Sequence, residues 1–347
     1  MMVNFLNGIV NKVETFAKRD FLLSKPTKIF LELTNSCNLK CKMCPRGSDS
    51  VKNPGFMSKG VFEKVIPYLK TTNYVCLSGF GESLLHPEFL NILKIIKSNG
   101  CKTQIYTNGL LLTKEMADAI VDLGLDYVNF SIDGATPETY EDIRVGGRFN
   151  RLEQSLKYIS EAKCSRKTDQ PYLTINFMAM KRNIAELPEV IRLAKKYNFQ
   201  GVSAQNLAIY SKDLENQSYF KNKEYFDRYI SEAKEKAKEL GIKLTLTYFK
   251  EEVRGCCVPF NTTYIACDGA VFACWFLAHK IGDLKESNLS DIWNGVRAKE
   301  MRKQFRKNKL NENCARCYDR APSEENLLHY PQQLMDTKKE GRLRYNK

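Results

Sequence analysis

The chain has 347 residues, 43% hydrophobic and 27% charged, with 54 Lys and Arg against 40 Asp and Glu for a formal charge of +14. That balance excludes a disordered or low-complexity chain and allows one large core plus a smaller module. No apolar run of about 18 residues occurs, so a spanning helix is not expected. No zinc-finger, RNP or helix-turn-helix pattern accompanies the positive charge, so neither is a nucleic-acid partner.

Met1–Lys18 places Val3, Leu6, Ile9, Val10, Val13 and Ala17 near helical spacing, interrupted by Asn4, Asn7, Asn11 and Glu14. The interruptions make a poor signal peptide. Residues 1–27 are expected to form an amphipathic segment packed on the protein body, with weak membrane-surface contact as the sharper alternative. From Lys28 short apolar runs alternate with amphipathic stretches. Lys28–Leu33, Tyr74–Ser78, Lys102–Thr107, Tyr127–Ile132, Tyr172–Met178 and Gly201–Gln205 predict strands. Phe62–Lys70, Glu88–Ser98, Lys114–Leu123, Leu152–Ala162 and Glu186–Tyr197 predict the helices between them. Such alternation gives parallel strands with right-handed crossovers, and six units argue for a partial (β/α)6 TIM-like barrel across residues 28–250. Chemistry then belongs at the C-terminal strand ends.

A helix at Tyr225–Leu240 and a strand at Lys243–Thr247 follow. Beyond a boundary near Lys250 the strands become hairpin-like. Thr262–Ala266 and Ala270–Phe272 flank Asp268-Gly269, a strong hairpin turn, so residues 251–347 predict a small C-terminal α+β module and tail. Arg297–Lys309 concentrates basic residues around Met301 and Phe305, as a solvated helix face does. Twelve cysteines without a secretory signal indicate metal rather than disulfides, and a cytoplasmic location.

The first strand runs into Cys37-Asn38-Leu39-Lys40-Cys41-Lys42-Met43-Cys44, a CxxxCxxC pattern where an active-site loop should begin. Three thiolates can hold three irons of a 4Fe–4S cube and leave the fourth open for S-adenosylmethionine (SAM). At these residues the sequence resembles the radical SAM superfamily. The resemblance implies a 5′-deoxyadenosyl radical and carries further residues with it. Gly79, Gly81 and Glu82 in Ser78-Gly79-Phe80-Gly81-Glu82 are similar to the family's glycine–glutamate motif, with Glu82 accepting from the SAM ammonium. Asn108, Ser131 and Asp133 stand where relatives contact ribose or methionine, and Arg144 where many pair with the SAM carboxylate. Met43 replaces the aromatic residue that many relatives carry. Asn176 faces the barrel interior either as a ligand or as a buried amide.

Downstream, Cys257, Gly269 and Cys274 give C-x11-G-x4-C, followed by Cys314-x2-Cys317. This resembles the twitch version of the SPASM module, which implies one auxiliary 4Fe–4S cluster on Cys257, Cys274, Cys314 and Cys317. Cys256 fits nearly the same spacing and is the alternative to Cys257. Otherwise Cys256 and Cys267 are spare thiols, and Cys76, Cys101 and Cys164 are structural.

With one auxiliary cluster the chain resembles the 2-deoxy-scyllo-inosamine dehydrogenases. That implies oxidation of an alcohol on a sugar, cyclitol or nucleotide-linked sugar, with the auxiliary cluster as electron acceptor and flavodoxin or ferredoxin as electron donor. The positive charge favours an anionic small-molecule substrate. The alternatives are a radical SAM epimerase, deaminase or peptide-modifying enzyme and, from another class, a non-catalytic iron–sulfur or zinc-binding protein. Lys181, Arg182 and Tyr210 follow strands five and six as candidate bases, with no choice among them.

Overall fold

The computed structural model describes residues 2–45, 54–209, 212–247, 249, 255–275, 279–317, 319–320, 322–323 and 326. Tyr210 lies outside the described residues. In chain order the helices are α1 (Met2–Phe16), α2 (Lys59–Glu63), α3 (Ile66–Leu69), α4 (Phe89–Ser98), α5 (Lys114–Asp122), α6 (Pro137–Ile143), α7 (Phe149–Ser165), α8 (Leu187–Lys196), α9 (Lys223–Leu240), α10 (Val258–Asn261), α11 (Leu289–Trp293), α12 (Val296–Arg306) and α13 (Glu312–Ala315). The strands are β1 (Lys28–Leu31), β2 (Tyr74–Leu77), β3 (Lys102–Thr107), β4 (Tyr127–Ser131), β5 (Tyr172–Ala179), β6 (Gly201–Asn206), β7 (Lys243–Thr247), β8 (Thr262–Ile265), β9 (Ala270–Phe272) and β10 (Lys280–Asp283).

All ten strands form one sheet in the order β10-β9-β8-β1-β2-β3-β4-β5-β6-β7. The six expected parallel strands stand in sequence, with β7 parallel to β6 and β8 parallel to β1. Since β7 and β8 are not neighbours in the sheet, the barrel is open there. The β8–β9 hairpin turns at Gly269, whose φ of +94° is the left-handed conformation that a glycine adopts without strain.

Along β5 buried Leu173, Ile175, Phe177 and Ala179 alternate with half-buried Thr174, Asn176 and Met178. The first set joins the main core beneath the helices, so the second set lines the concave interior. By the same alternation Gln104, Tyr106, Asn129, Ser131, Ser203 and Gln205 face the interior. Helix starts follow capping chemistry: the hydroxyls of Ser58, Thr113 and Thr136 accept from Val61, Met116 and Thr139 N–H groups.

Two expectations change. The single helix over Phe62–Lys70 is split into α2 and α3, because Pro67 offers no N–H to the Glu63 carbonyl. The N-terminal helix does pack on the body, but through its polar side: Asn4, Asn11 and Glu14 are buried while its apolar residues are exposed. Asn7 Nδ2 donates to Lys25 and Thr71 carbonyls at 3.1 and 2.9 Å, and Asn11 Nδ2 to Phe260 O at 2.7 Å. Glu14 accepts from Leu23 N, Ser24 N and Ser24 Oγ. These partners precede β1, β2 and β8, where backbone groups at the strand starts need hydrogen bonds. In the basic stretch Arg302 departs from a solvated face. It is buried, donates from Nε to Pro259 O at 2.9 Å, and stacks over Trp293 at 4.2 Å.

Candidate active site and auxiliary cysteine site

The loop after β1 is pinned at both ends. Thr34 Oγ1 donates to Gly55 O at 2.6 Å, and Asn35 Oδ1 accepts from Gly55 N at 2.7 Å. Lys40 N and Lys42 N donate to Val145 O and Ile143 O. Cys41 packs with Leu39, Met43, Ile143, Met180 and Leu207, and Cys37 and Cys44 lie against the same cluster. Burial pushes the Cys41 thiol up to about 11; Arg144 pulls it down, while Cys44 and Cys37 are near enough to raise it further. Buried Met43 fills apolar space there.

Two observations fit an iron–sulfur cluster with an anionic ligand. A Cβ on Gly81 would stand 2.3 Å from Thr34 O and 2.4 Å from Ser36 O, so the motif's backbone lies directly against the cysteine loop. Glu82 N seals that approach by donating to Ser36 O at 2.8 Å. Arg144 Nη1 lies 3.8 Å from Cys41 Sγ, and its buried Nε has no hydrogen-bond partner among the described residues. A guanidinium with a spare donor beside the Cys41 thiol suits a carboxylate.

The other expected SAM contacts fall into two groups. Glu82 is buried, and its carboxylate accepts from Leu84 N at 3.2 Å, Thr107 Oγ1 at 2.8 Å and Asn108 N at 2.7 Å. Asn108 Nδ2 continues to Asn38 Oδ1 at 2.9 Å. Glu82 thereby ties the loops after β2 and β3 to the cysteine loop. Asp133 and Arg144 are both buried and pair with each other, Oδ2 to Nη2 at 2.6 Å, while Asp133 Oδ1 accepts from Met178 N at 2.7 Å. Burial opposes the Arg144 charge, but Asp133 outweighs it and pushes the Arg144 pKa up. Ser131 ends β4 on the concave face, in register with Asn176. Asn176 Oδ1 accepts from Gln205 Nε2 at 2.9 Å. Of the described base candidates, Arg182 is engaged by Asp142 and Gln217, and Lys181 N donates to Gln217 O.

Sequence reasoning missed Glu32, although a charged residue closing an apolar strand was its signal. It is wholly buried, accepting from Phe80 N at 2.9 Å and Cys267 N at 3.3 Å, with the Tyr264 hydroxyl and Cys267 thiol also on it. A Cβ on Gly79 would sit 2.4 Å from Glu32 Cγ, so the glycine is what admits this side chain. Burial raises the Glu32 pKa, and the hydrogen bonds only partly offset it. Above its ordinary value the folded chain then holds more protons than the unfolded one, so this group's contribution to stability falls as pH rises. Glu32→Gln removes that titration. Its melting temperature relative to the parent is expected to improve as pH rises above the ordinary carboxylate value; a difference constant with pH would contradict the assignment.

The downstream cysteines share one cavity. Cys256, Cys257, Cys274, Cys314 and Cys317 line it, with Trp275, Met301 and Phe305 as its apolar wall. Within it the adjacent pair diverges. Cys256 is half-buried, with Cys317 and Cys257 close enough to raise its thiol, while the Cys314 thiol is raised by Cys317 and Cys256. Cys257 is exposed and accepts from Asn261 Nδ2 at 3.4 Å. Burial pushes Cys256 up to about 11 and Cys314 up to about 12. His279 Nε2, not foreseen, lies 3.5 Å from Cys314 Sγ. Trp275 stacks on Phe30 of β1 at 5.0 Å, joining the cavity wall to the barrel interior. Among the described residues no three His, Cys, Asp or Glu side chains are grouped to hold a single metal ion. No described helix is long and apolar enough to cross a membrane.

Comparison with known proteins agrees with this geometry. Residues 31–194 match the radical SAM superfamily model, and residues 256–318 match SPASM, an iron–sulfur cluster-binding domain. The chain is 26% identical over 318 residues to the tungsten-containing aldehyde ferredoxin oxidoreductase cofactor-modifying protein of Pyrococcus furiosus, covering 83% of this chain and 86% of that one. In fold it is similar to Streptococcus suis SuiB bound to precursor peptide SuiA, with TM-score 0.63, 16% identity, and 85% of this chain and 70% of that one covered. It is also similar to anSMEcpe with bound AdoMet and Cp18Cys peptide, with TM-score 0.64, 18% identity, and 92% and 98% covered. The two family models together span most of the described chain, and the protein belongs to the radical SAM superfamily and carries a SPASM auxiliary cluster domain.

Proposed function

We propose that this radical SAM enzyme removes a hydrogen atom from a peptide and completes an oxidation with the auxiliary cluster as electron acceptor. Cys37, Cys41 and Cys44 would hold the SAM-binding 4Fe–4S cluster, and Cys256, Cys274, Cys314 and Cys317 the auxiliary one. Cys256 is put forward here in place of Cys257, because it is the more buried of the two and feels the Cys317 charge, while Cys257 is exposed and engaged by Asn261. Bound there, the first cluster supplies the electron that cleaves SAM to methionine and the 5′-deoxyadenosyl radical.

The chain's own residues have distinct tasks in this reading. Arg144, held by Asp133, offers its free Nε to the SAM carboxylate. Glu82 fixes the loops around the ammonium, and Gly79 and Gly81 let the backbone close in. Asn108 and Ser131 face the ribose and methionine. The substrate would then give up one hydrogen atom to the radical, one proton to a base, and one electron to the auxiliary cluster that Cys256, Cys274, Cys314 and Cys317 would hold. A flavodoxin or ferredoxin would supply the initial electron. Twelve free cysteines suit the reducing cytoplasm.

The observation carrying the substrate class is the neutral, amide-rich interior wall: Gln104, Asn129, Asn176, Ser203 and Gln205. Such groups match peptide amides better than the anionic substrate expected from net charge. Peptide-bound structures of the same fold support that choice. The wall would also hydrogen-bond sugar or cyclitol hydroxyls, so the test must separate the two. Reduced protein and SAM are supplied with perdeuterated peptides or with perdeuterated sugars and cyclitols, and deuterium in 5′-deoxyadenosine is measured by mass spectrometry. Transfer from the peptides is expected. Transfer from the sugars or cyclitols alone would replace this reading with alcohol oxidation.

A further inference from the structure

The N-terminal helix is inverted relative to an ordinary surface helix. Its amide and carboxylate side chains face the barrel, and its apolar residues face outward. Phe5, Ile9, Val13 and Phe16 are 64%, 45%, 62% and 93% exposed, on one side of α1 by their i, i+4, i+8 and i+11 spacing. Just past the helix Phe21 and Leu23 are also exposed. A soluble domain seldom leaves so much contiguous apolar side chain in water without a use for it. Burial of the polar face is specific: Asn7, Asn11 and Glu14 make eight hydrogen bonds to the segment before β1, to Thr71 and to Phe260, counting Asn7 Oδ1 from Lys25 N and Asn11 Nδ2 to Ser24 Oγ. These bonds fix the helix in this orientation.

We propose that this face docks on an anionic lipid surface. Charge complementarity selects the occupant. Lys12, Lys18 and Arg19 are exposed on and just after the helix. The following segment is tied to basic α12 through Asp20, whose carbonyl accepts from Arg302 and whose carboxylate pairs with Arg306 at 2.7 Å. Exposed Arg297, Arg306, Lys307 and Lys309 extend the positive field from there. An apolar ridge with phenylalanines and a lysine–arginine rim has the composition that inserts at a headgroup boundary. Two copies of a +14 chain meeting through the same basic-rimmed face would repel each other. The helix covers the N-terminal strand ends, opposite the cysteine loop, so a docked molecule keeps its catalytic mouth toward solvent.

The test uses the full, iron-loaded chain and sedimentation with vesicles. Phosphatidylcholine vesicles containing about one-third phosphatidylglycerol should carry the protein down, and pure phosphatidylcholine should carry much less. The triple variant Phe5→Ser/Ile9→Ser/Phe16→Ser changes only exposed positions, and equal iron content and circular dichroism will verify its fold. Its partition onto the anionic vesicles should drop at least about tenfold. Absence of vesicle binding by the parent, or equal binding by the variant, overturns the proposal. So does a parent dimer in sedimentation velocity that the variant dissolves, because the face would then belong to a second copy.

Discussion

Replacing Cys37, Cys41 and Cys44 together by alanine will leave about four irons per chain where the intact protein holds about eight, at four per cube. The same variant will form no 5′-deoxyadenosine with dithionite and SAM. The effect should be complete rather than partial because these three thiolates would hold the cluster that supplies the electron to SAM. The downstream cavity keeps its own thiols and its apolar wall, so its iron survives. Single variants then separate the adjacent pair: Cys256→Ala should lose the auxiliary four irons, and Cys257→Ala should keep them. The physical basis is that Cys256 shares an electrostatic neighbourhood with Cys314 and Cys317 while Cys257 turns to Asn261. Iron retained by Cys256→Ala and lost by Cys257→Ala would reverse the ligand assignment.

The second large effect is at Arg144. Arg144→Met strands the Asp133 carboxylate, buried beside the Met178 amide with no counter-charge. Breaking one side of a buried pair costs about 3–5 kcal/mol, so the melting temperature should fall by roughly 5–10 °C. Asp133→Asn/Arg144→Met removes both charges and should recover most of that loss. SAM affinity should not recover with it, since the guanidinium donor is still missing. If affinity and stability return together, Arg144 serves only the fold.

Much of the barrel was legible because β-strand alternation and helical periodicity are local signals. β3, β7 and β9 coincide with their predicted spans. The CxxxCxxC loop stands where the sequence put it, directly after the first strand. What escaped was information about partners distant in sequence. Periodicity showed that α1 is amphipathic but not which side turns inward; that depends on backbone groups at Lys25, Thr71 and Phe260. Spacing could not separate Cys256 from Cys257, because neighbouring side chains diverge only once α10 and α13 are placed. Nor did it pair Asp133 with Arg144, which meet only when α6 folds back across the mouth. Burial of Arg302 followed from Trp293 and Pro259, neither of which marks the arginine locally.

The parallel pairing of β1 with β8, Lys28 opposite Thr262 through Leu31 opposite Ile265, joins segments 234 residues apart (262 − 28). Closing so long a loop is entropically slow, and contacts of this range form late in folding. Until β8 arrives, β1 presents a bare strand edge, the kind of template on which chains aggregate. A fragment ending near Lys250 would keep that edge permanently, so the cysteine-rich module also serves the barrel as its edge protection.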